Sequence, residues 1–113
     1  YPIQDWEQEL DRIEAVVKAY HKPFFFAEAG CMSRTGSKHV PNNWGIEGKL
    51  RLEEQVEWYT TMFESCRKRE WMQWYGLWEW APAVPSAKQA YKDDSYQICQ
   101  KPVQEIIKKY YKE

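Results

Sequence analysis

The spacing of apolar residues along the chain predicts the order helix, strand, helix, strand, helix. The first helix is predicted over residues 5–21, with Asp5 as its N-cap and the Lys22-Pro23 pair at its end. Its apolar residues recur at intervals of four and three, which places them on one face of a helix. These residues are Trp6, Leu10, Ile13, Val17 and Tyr20.

The stretch that follows, residues 24–29, is almost wholly apolar and predicts a strand that is buried on both faces. Strict alternation puts Phe24, Phe26 and Glu28 on one of those faces. An ionised Glu28 at the end of such a strand is costly to desolvate. The residues leave two interpretations open: a structural carboxylate paired with Arg or Lys, or a functional carboxylate at the mouth of a site.

The rest of the chain repeats this arrangement. A polar loop over 30–48 is long for a small domain, and its place directly after the strand favours a functional role. A second helix is predicted over 49–69, an aromatic-rich strand over 72–80, and a last helix from Lys101-Pro102 onward. The apolar face of the second helix comprises Leu52, Val56, Tyr59, Phe63 and Cys66, and its glutamates are expected to form a solvated surface.

Two strands joined by a helix of this length are expected to be parallel. A sheet of only two parallel strands has two open edges and little area to cover. The pattern therefore predicts an α/β chain that forms part of a larger sheet, completed either by further residues or by several associated copies.

Composition excludes several classes of function. The chain of 113 residues has 16 basic and 17 acidic residues, so its net charge of -1 gives no support to nucleic-acid or anionic-membrane binding. No apolar run reaches the roughly 20 residues of a membrane helix. Three isolated cysteines favour neither a disulfide framework nor a zinc site. We expect no metal and no cofactor. The compartment, secreted or cytoplasmic, stays open.

Aromatic residues make up 17% of the chain and include 7 Trp, a load typical of surfaces that bind sugars or partners. Two strand-end segments, Phe26-Ala27-Glu28-Ala29-Gly30 and Gly76-Leu77-Trp78-Glu79-Trp80, together with Asp94-Ser95-Tyr96 and Lys101-Pro102, carry a family resemblance. In these stretches the chain resembles the last quarter of a clan A glycoside hydrolase, most closely glycoside hydrolase family 113, the endo-β-1,4-mannanase-like group. Gln100 and Val103 replace a glycine and an alanine of the family pattern.

The resemblance implies a fold, namely the C-terminal portion of a TIM (β/α)8 barrel. On this view residues 1–113 are one partial segment that holds the last two strands and their helices. The resemblance also implies that Glu28 is the catalytic nucleophile and that a tryptophan after the second strand supports the sugar. Trp80 is the preferred candidate and Trp78 the second, and Trp44 in the long loop is a further substrate-binding candidate.

Three functions remain open. The first is a segment of a retaining glycoside hydrolase that acts on a β-linked polysaccharide such as mannan. The resemblance implies that its acid/base lies on the fourth strand of the barrel, which this chain does not contain. Alternation points Glu79 away from Trp78 and Trp80, which argues against Glu79 in that role. The isolated chain is then expected to be inactive, and its partners are an oligosaccharide or polysaccharide and the N-terminal remainder of the barrel. The second is a non-catalytic carbohydrate-binding or interaction module, and the third is an assembly of several copies.

Overall fold

The computed structural model describes residues 3–112, with side chains from residue 5 onward. Its elements follow the predicted order, with one short helix added before the last. They are α1 (Ile3–Tyr20), β1 (Phe24–Ala29), a 3₁₀ turn (Ser37–His39), α2 (Leu52–Cys66), β2 (Met72–Leu77), α3 (Ala87–Ala90) and α4 (Pro102–Tyr111).

The two strands pair in parallel, as the sequence predicts. Phe25 pairs with Trp74 and Phe26 with Tyr75, and the register shifts once on either side of these pairs. The second strand is shorter than expected because it ends at Leu77, so the predicted alternation of side chains does not extend to the tryptophans beyond it.

One face of the sheet is covered by helices and the other is open. Phe26 packs edge-on against Trp6 of α1, with ring centroids 6.3 Å apart, whereas Phe25 stacks on Trp74 at 4.0 Å on the opposite face. Phe25 is 44% exposed and Trp74 is 51% exposed. The expectation of a strand buried on both faces is therefore wrong for residues 3–112, because the helices of this chain cover only one face.

Helix α2 lies under the sheet, and its buried face includes Tyr59, Phe63 and Cys66 of the predicted apolar spacing but is wider than that spacing predicts. Trp58, Tyr59, Met62 and Phe63 are buried, and so is Glu54, at 4% exposure. Glu54 accepts a hydrogen bond from the Lys38 backbone N–H and forms a 3.1 Å salt bridge with Arg51. The prediction that the glutamates form a solvated surface is wrong at Glu54, because a turn of the preceding loop packs over it.

In the structure α1 starts earlier than predicted and ends close to the predicted position. The helix begins at Ile3, so Asp5 lies in its first turn and is not the N-cap that the sequence suggested. At the other end His21 has a φ of 54°, and the Lys22 N–H donates to the Val17 carbonyl. This left-handed cap reverses the chain immediately before Pro23 and leads it directly into β1.

Candidate functional site

The carboxylate of Glu28 lies where the alternation of β1 is interrupted. The register shifts between Phe26 and Ala29, and there Ala27 and Glu28 are both exposed before Ala29 is buried again. Such an irregularity re-aims a side chain. The expectation that Glu28 shares a face with Phe24 and Phe26 is therefore wrong. Those rings pack against the helices, and Glu28 turns toward open space.

A cleft of about 630 Å³ opens beside Glu28. Its walls come from the end of β1, the long loop, α2 and the segment after β2. Within residues 3–112 the Glu28 carboxylate has no hydrogen bond or salt bridge, and it is the sole carboxylate among the residues that line the cleft. The lining residues are Glu28, Ala29, Gly30, Pro41, Asn42, Trp44, Trp58, Trp78 and Tyr96.

A close backbone contact joins Glu28's segment to Trp78. The Trp78 N–H donates to the Ala29 carbonyl at 2.7 Å, and the Trp78 carbonyl passes directly over Gly30. A β-carbon at residue 30 would lie 2.1 Å from that carbonyl oxygen, nearer than any real contact. Glycine is therefore required at residue 30, because only a residue without a β-carbon lets the two segments meet.

Helix α2 holds the far wall of the cleft through buried polar side chains. The Tyr59 hydroxyl donates to the Trp78 carbonyl at 3.4 Å. The Gln55 amide donates to the carbonyls of Tyr96 and Gln97, each at 3.2 Å. Gln55 and Tyr59 are fully buried, so these contacts fix the backbone on which the aromatic walls of the cleft stand.

Lys101 connects the loops behind the cleft. Its side chain is completely buried, and its ammonium group donates to Ser33 Oγ at 3.0 Å and to the Ser95 carbonyl at 3.1 Å. Burial lowers the Lys101 pKa, and the Asp93 carboxylate, 3.5 Å from the ammonium, opposes that effect. The buried cation therefore joins the segment after β1 to the segment that carries Tyr96.

The Cys31 thiol and the Tyr96 phenol stay protonated at neutral pH. Burial raises the pKa of the Cys31 thiol to about 12, and its Sγ lies 3.5 Å from Ser37 Oγ. Burial also raises the pKa of Tyr96, with smaller contributions from the charges of Cys31 and Glu28. Cys31 is therefore not a nucleophile, and the Tyr96 hydroxyl keeps its proton, which it donates to the Pro41 carbonyl.

The structure separates the two tryptophans that follow β2. Trp78 lines the cleft with Glu28. Trp80 instead lines a separate pocket with Leu77, Ile107 and Tyr111. Trp44 also lines the cleft. The geometry thus favours Trp78 over Trp80 as the ring nearest to Glu28, and a substrate-binding role for Trp80 stays a prediction.

Glu79 does not line the cleft, and its backbone pairs with the Tyr96 carbonyl and the Ile98 N–H. In residues 3–112 no group of His, Cys, Asp and Glu is arranged to hold a metal ion. None of the helices described in this range is long and apolar enough to cross a bilayer.

Comparison with known proteins decides the family. The model of Glycoside Hydrolase Family 113 matches residues 1–101. The chain belongs to glycoside hydrolase family 113. Two solved structures of family 113 β-1,4-mannanases, one of them a complex, superpose with TM-scores of 0.92 at 51% and 50% identity. A family 113 β-mannanase from Alicyclobacillus acidocaldarius, AaManA, in complex with ManMIm superposes with a TM-score of 0.89 at 34% identity.

Each of these superpositions covers 99% of this chain but only 36% of the family 113 enzyme. The chain thus spans about a third of the length of the family members that it matches. The resemblance and the fold class expected from the sequence, a portion of a TIM barrel with parallel strands, are confirmed. A search of the curated proteins finds no match.

Residue 100 is one of the positions at which this chain departs from the family pattern. Gln100 replaces the glycine that precedes Lys-Pro in the family pattern, and it has a φ of 66°, a conformation that favours glycine. Its backbone N–H is satisfied by Gln104 Oε1 at 2.8 Å. Residue 100 of this chain is therefore less suited than glycine to its backbone conformation.

Sequence reasoning did not single out four residues of the cleft wall: Pro41, Asn42, Trp58 and Tyr96. Proline and asparagine are common in turns, and the apolar spacing of α2 does not include Trp58. Tyr96 belongs to the Asp94-Ser95-Tyr96 segment that carries part of the family resemblance. That segment was the one signal that could have identified it.

Proposed function

We propose that this chain is the part of a retaining family 113 glycoside hydrolase that supplies the nucleophile, Glu28, and that the substrate is a β-linked mannan. The observation that carries the proposal is the Glu28 carboxylate in an aromatic cleft at the carboxyl end of a parallel strand, without a hydrogen bond or salt bridge within residues 3–112. Active sites of TIM barrels lie at this end of the strands.

In the proposed reaction a Glu28 oxygen attacks the anomeric carbon as the glycosidic C–O bond breaks. A carboxylic acid protonates the departing oxygen, and water then hydrolyses the glycosyl ester. A retaining enzyme needs that second carboxyl group at about 5–5.5 Å. Among the residues described here the cleft offers only Glu28, so the acid/base must come from the remainder of the barrel.

The open face of the sheet supports the proposal that the remainder of the barrel completes the active site. Phe25 and Trp74 form a stacked, half-exposed aromatic pair where a closed barrel has packed side chains. We propose that residues 1–113 form a single partial barrel and that this face is covered by the remaining strands, in the same or another chain. Trp78 and Trp44 would contact the sugar, with Trp80 a further candidate.

A chimera tests the proposal. This chain replaces the matching 36% of the family 113 β-1,4-mannanase to which it is 51% identical, and release of reducing ends from β-1,4-mannan is measured. The chimera, termed the completed barrel, should hydrolyse mannan, and Glu28→Gln should lower kcat by at least about 10³-fold. Glu79→Gln is the matched control and should retain activity within a few fold.

The 113-residue chain alone should bind mannan oligosaccharides weakly and hydrolyse none. Full activity of the Glu28→Gln completed barrel would refute the nucleophile assignment. A completed barrel that folds and binds mannan but does not hydrolyse it would favour the non-catalytic carbohydrate-binding alternative.

A further inference from the structure

The loop that carries Trp44 is held at its base by hydrogen bonds to its own ends. The Thr35 N–H donates to the Lys49 carbonyl at 2.9 Å, and the Lys49 N–H donates to Thr35 Oγ1 at 2.9 Å. The Arg51 N–H donates to the Ser33 carbonyl at 2.8 Å. Residues 35–49 thus form a loop with a closed neck, and Trp44 lies near its tip.

The tip is itself folded into successive turns. The Asn43 N–H donates to the Val40 carbonyl at 2.9 Å, and the Ile46 N–H donates to the Asn43 carbonyl at 3.2 Å. Asn43 Oδ1 accepts from the Gly45 N–H at 3.2 Å. The Trp44 residue is nevertheless 79% exposed, so its indole does not pack the loop together. An ordered backbone therefore holds an exposed ring at the rim of the cleft.

Two side chains from outside the tip anchor it on either side of Trp44. The Tyr96 hydroxyl donates to the Pro41 carbonyl. Arg34 Nη1 donates to the Ile46 carbonyl at 2.7 Å while its Nε donates to Asp94 Oδ2 at 3.1 Å. Both anchors lead to the 94–96 segment, which also forms a wall of the cleft. The position of Trp44 thus depends on two long-range contacts: Tyr96 with Pro41, which are 55 residues apart, and Arg34 with Asp94, which are 60 residues apart.

We propose that Arg34 and Tyr96 are positioning residues that fix Trp44 as a second sugar platform, so that the site selects oligosaccharides over single sugars. The inference rests on the proposed function and deepens it. Trp78 provides one aromatic surface beside Glu28, and Trp44 provides another at the rim of the same cleft. Two such surfaces in one cleft suit adjoining units of a chain, because each flat ring offers contact area at low entropic cost.

The first test measures positioning without any catalysis. Amide hydrogen exchange of the completed barrel, without substrate, is followed by NMR in Tyr96→Phe, which keeps the ring and removes only the hydroxyl. Loss of one hydrogen bond should speed exchange at the Asn43 and Ile46 amides roughly fivefold. Exchange at the Thr35 and Arg51 amides of the neck should not change. Tyr91→Phe, a half-exposed tyrosine outside the cleft, is the control and should change neither set.

The second test measures selection by chain length in the completed barrel. The ratio of kcat/KM for a β-1,4-mannohexaose to that for an aryl β-mannoside should fall about fivefold in Tyr96→Phe, through KM rather than kcat. Trp44→Ala should cause a similar or larger fall. Because Tyr96 acts through Trp44, adding Tyr96→Phe to Trp44→Ala should produce almost no further change.

Arg34→Lys keeps the charge but not the two-point contact, so it should behave like Tyr96→Phe. The inference is overturned if the tip amides exchange normally in Tyr96→Phe, or if the effects of Tyr96→Phe and Trp44→Ala on the chain-length ratio multiply. An inactive completed barrel would count against the proposed function alone, and the exchange measurement would then still decide whether Tyr96 positions the tip. Activity with an unchanged chain-length ratio in Trp44→Ala would also overturn the inference, while leaving the proposed function intact.

Discussion

The contact between Gly30 and Trp78 makes one substitution unusually informative. In Gly30→Ala the new β-carbon would lie 2.1 Å from the Trp78 carbonyl oxygen, 3.1 Å from its carbonyl carbon and 3.3 Å from its β-carbon. Real β-carbons essentially never come within 3.0 Å of a heavy atom outside their own and the adjacent residues, so the two segments must separate by about 0.9 Å. The atoms that clash are backbone atoms, and no change of side-chain rotamer relieves them.

The cost of this separation follows from the contacts that it breaks. Overpacking of this kind costs about 1–3 kcal/mol, and loss of the 2.7 Å hydrogen bond from Trp78 to Ala29 adds about 1 kcal/mol. We expect Gly30→Ala to lower the free energy of unfolding by roughly 2–4 kcal/mol. Because Trp78 moves away from Glu28, we also expect kcat/KM of the completed barrel to fall about 10²-fold, beyond any loss of folded protein.

Urea unfolding and initial rates of mannan hydrolysis measure these two effects. Gly45→Ala is the matched control, because a β-carbon there has its nearest neighbour at an ordinary 3.6 Å. The control should change the unfolding free energy by less than about 0.5 kcal/mol. Wild-type stability and wild-type kcat/KM in Gly30→Ala would refute the idea that this close approach sets the geometry of the cleft.

Two further predictions concern stability. Gln100→Gly should raise the free energy of unfolding by about 0.5–1 kcal/mol, because glycine accepts a φ of 66° without strain. Gln100→Ala should bring no gain, and a gain as large as that of glycine would contradict the reasoning. A hydrogen bond from Arg51, and to a smaller extent one from Lys38, lowers the Glu57 pKa from 4.5 to about 2. The ionised Glu57 carboxylate therefore stabilises the fold fully above about pH 4.5, and this contribution is lost as the pH falls toward 2. In Glu57→Gln the free energy of unfolding, measured by urea titration, should no longer show this pH dependence. An unchanged pH profile would contradict the assignment.

The parts of the fold that follow local rules could be predicted from the sequence. The apolar run at β1, the helical spacing before it and the parallel pairing of the two strands all appear in the structure. The sequence also draws attention to the carboxyl end of β1, because a carboxylate at the end of an apolar strand has few stable environments, and in the structure this end borders the cleft.

The parts that depend on packing could not be predicted. A register shift between Phe26 and Ala29 decides which way Glu28 points, and strict alternation cannot reveal it. The burial of Glu54 depends on a turn more than ten residues earlier that folds over α2. The contact from Tyr96 to Pro41 joins residues far apart in the chain, and neither residue carries a periodic signal.

The central claim is that Glu28 forms the covalent bond to the sugar. The most direct measurement treats the completed barrel with a 2-deoxy-2-fluoro-β-mannosyl compound that bears a dinitrophenolate leaving group, and then identifies the labelled peptide by mass spectrometry. Our account predicts one added 2-fluoromannosyl group, on the peptide that contains Glu28, and no label in Glu28→Gln. A label on any other carboxylate while Glu28 stays unmodified would contradict the account.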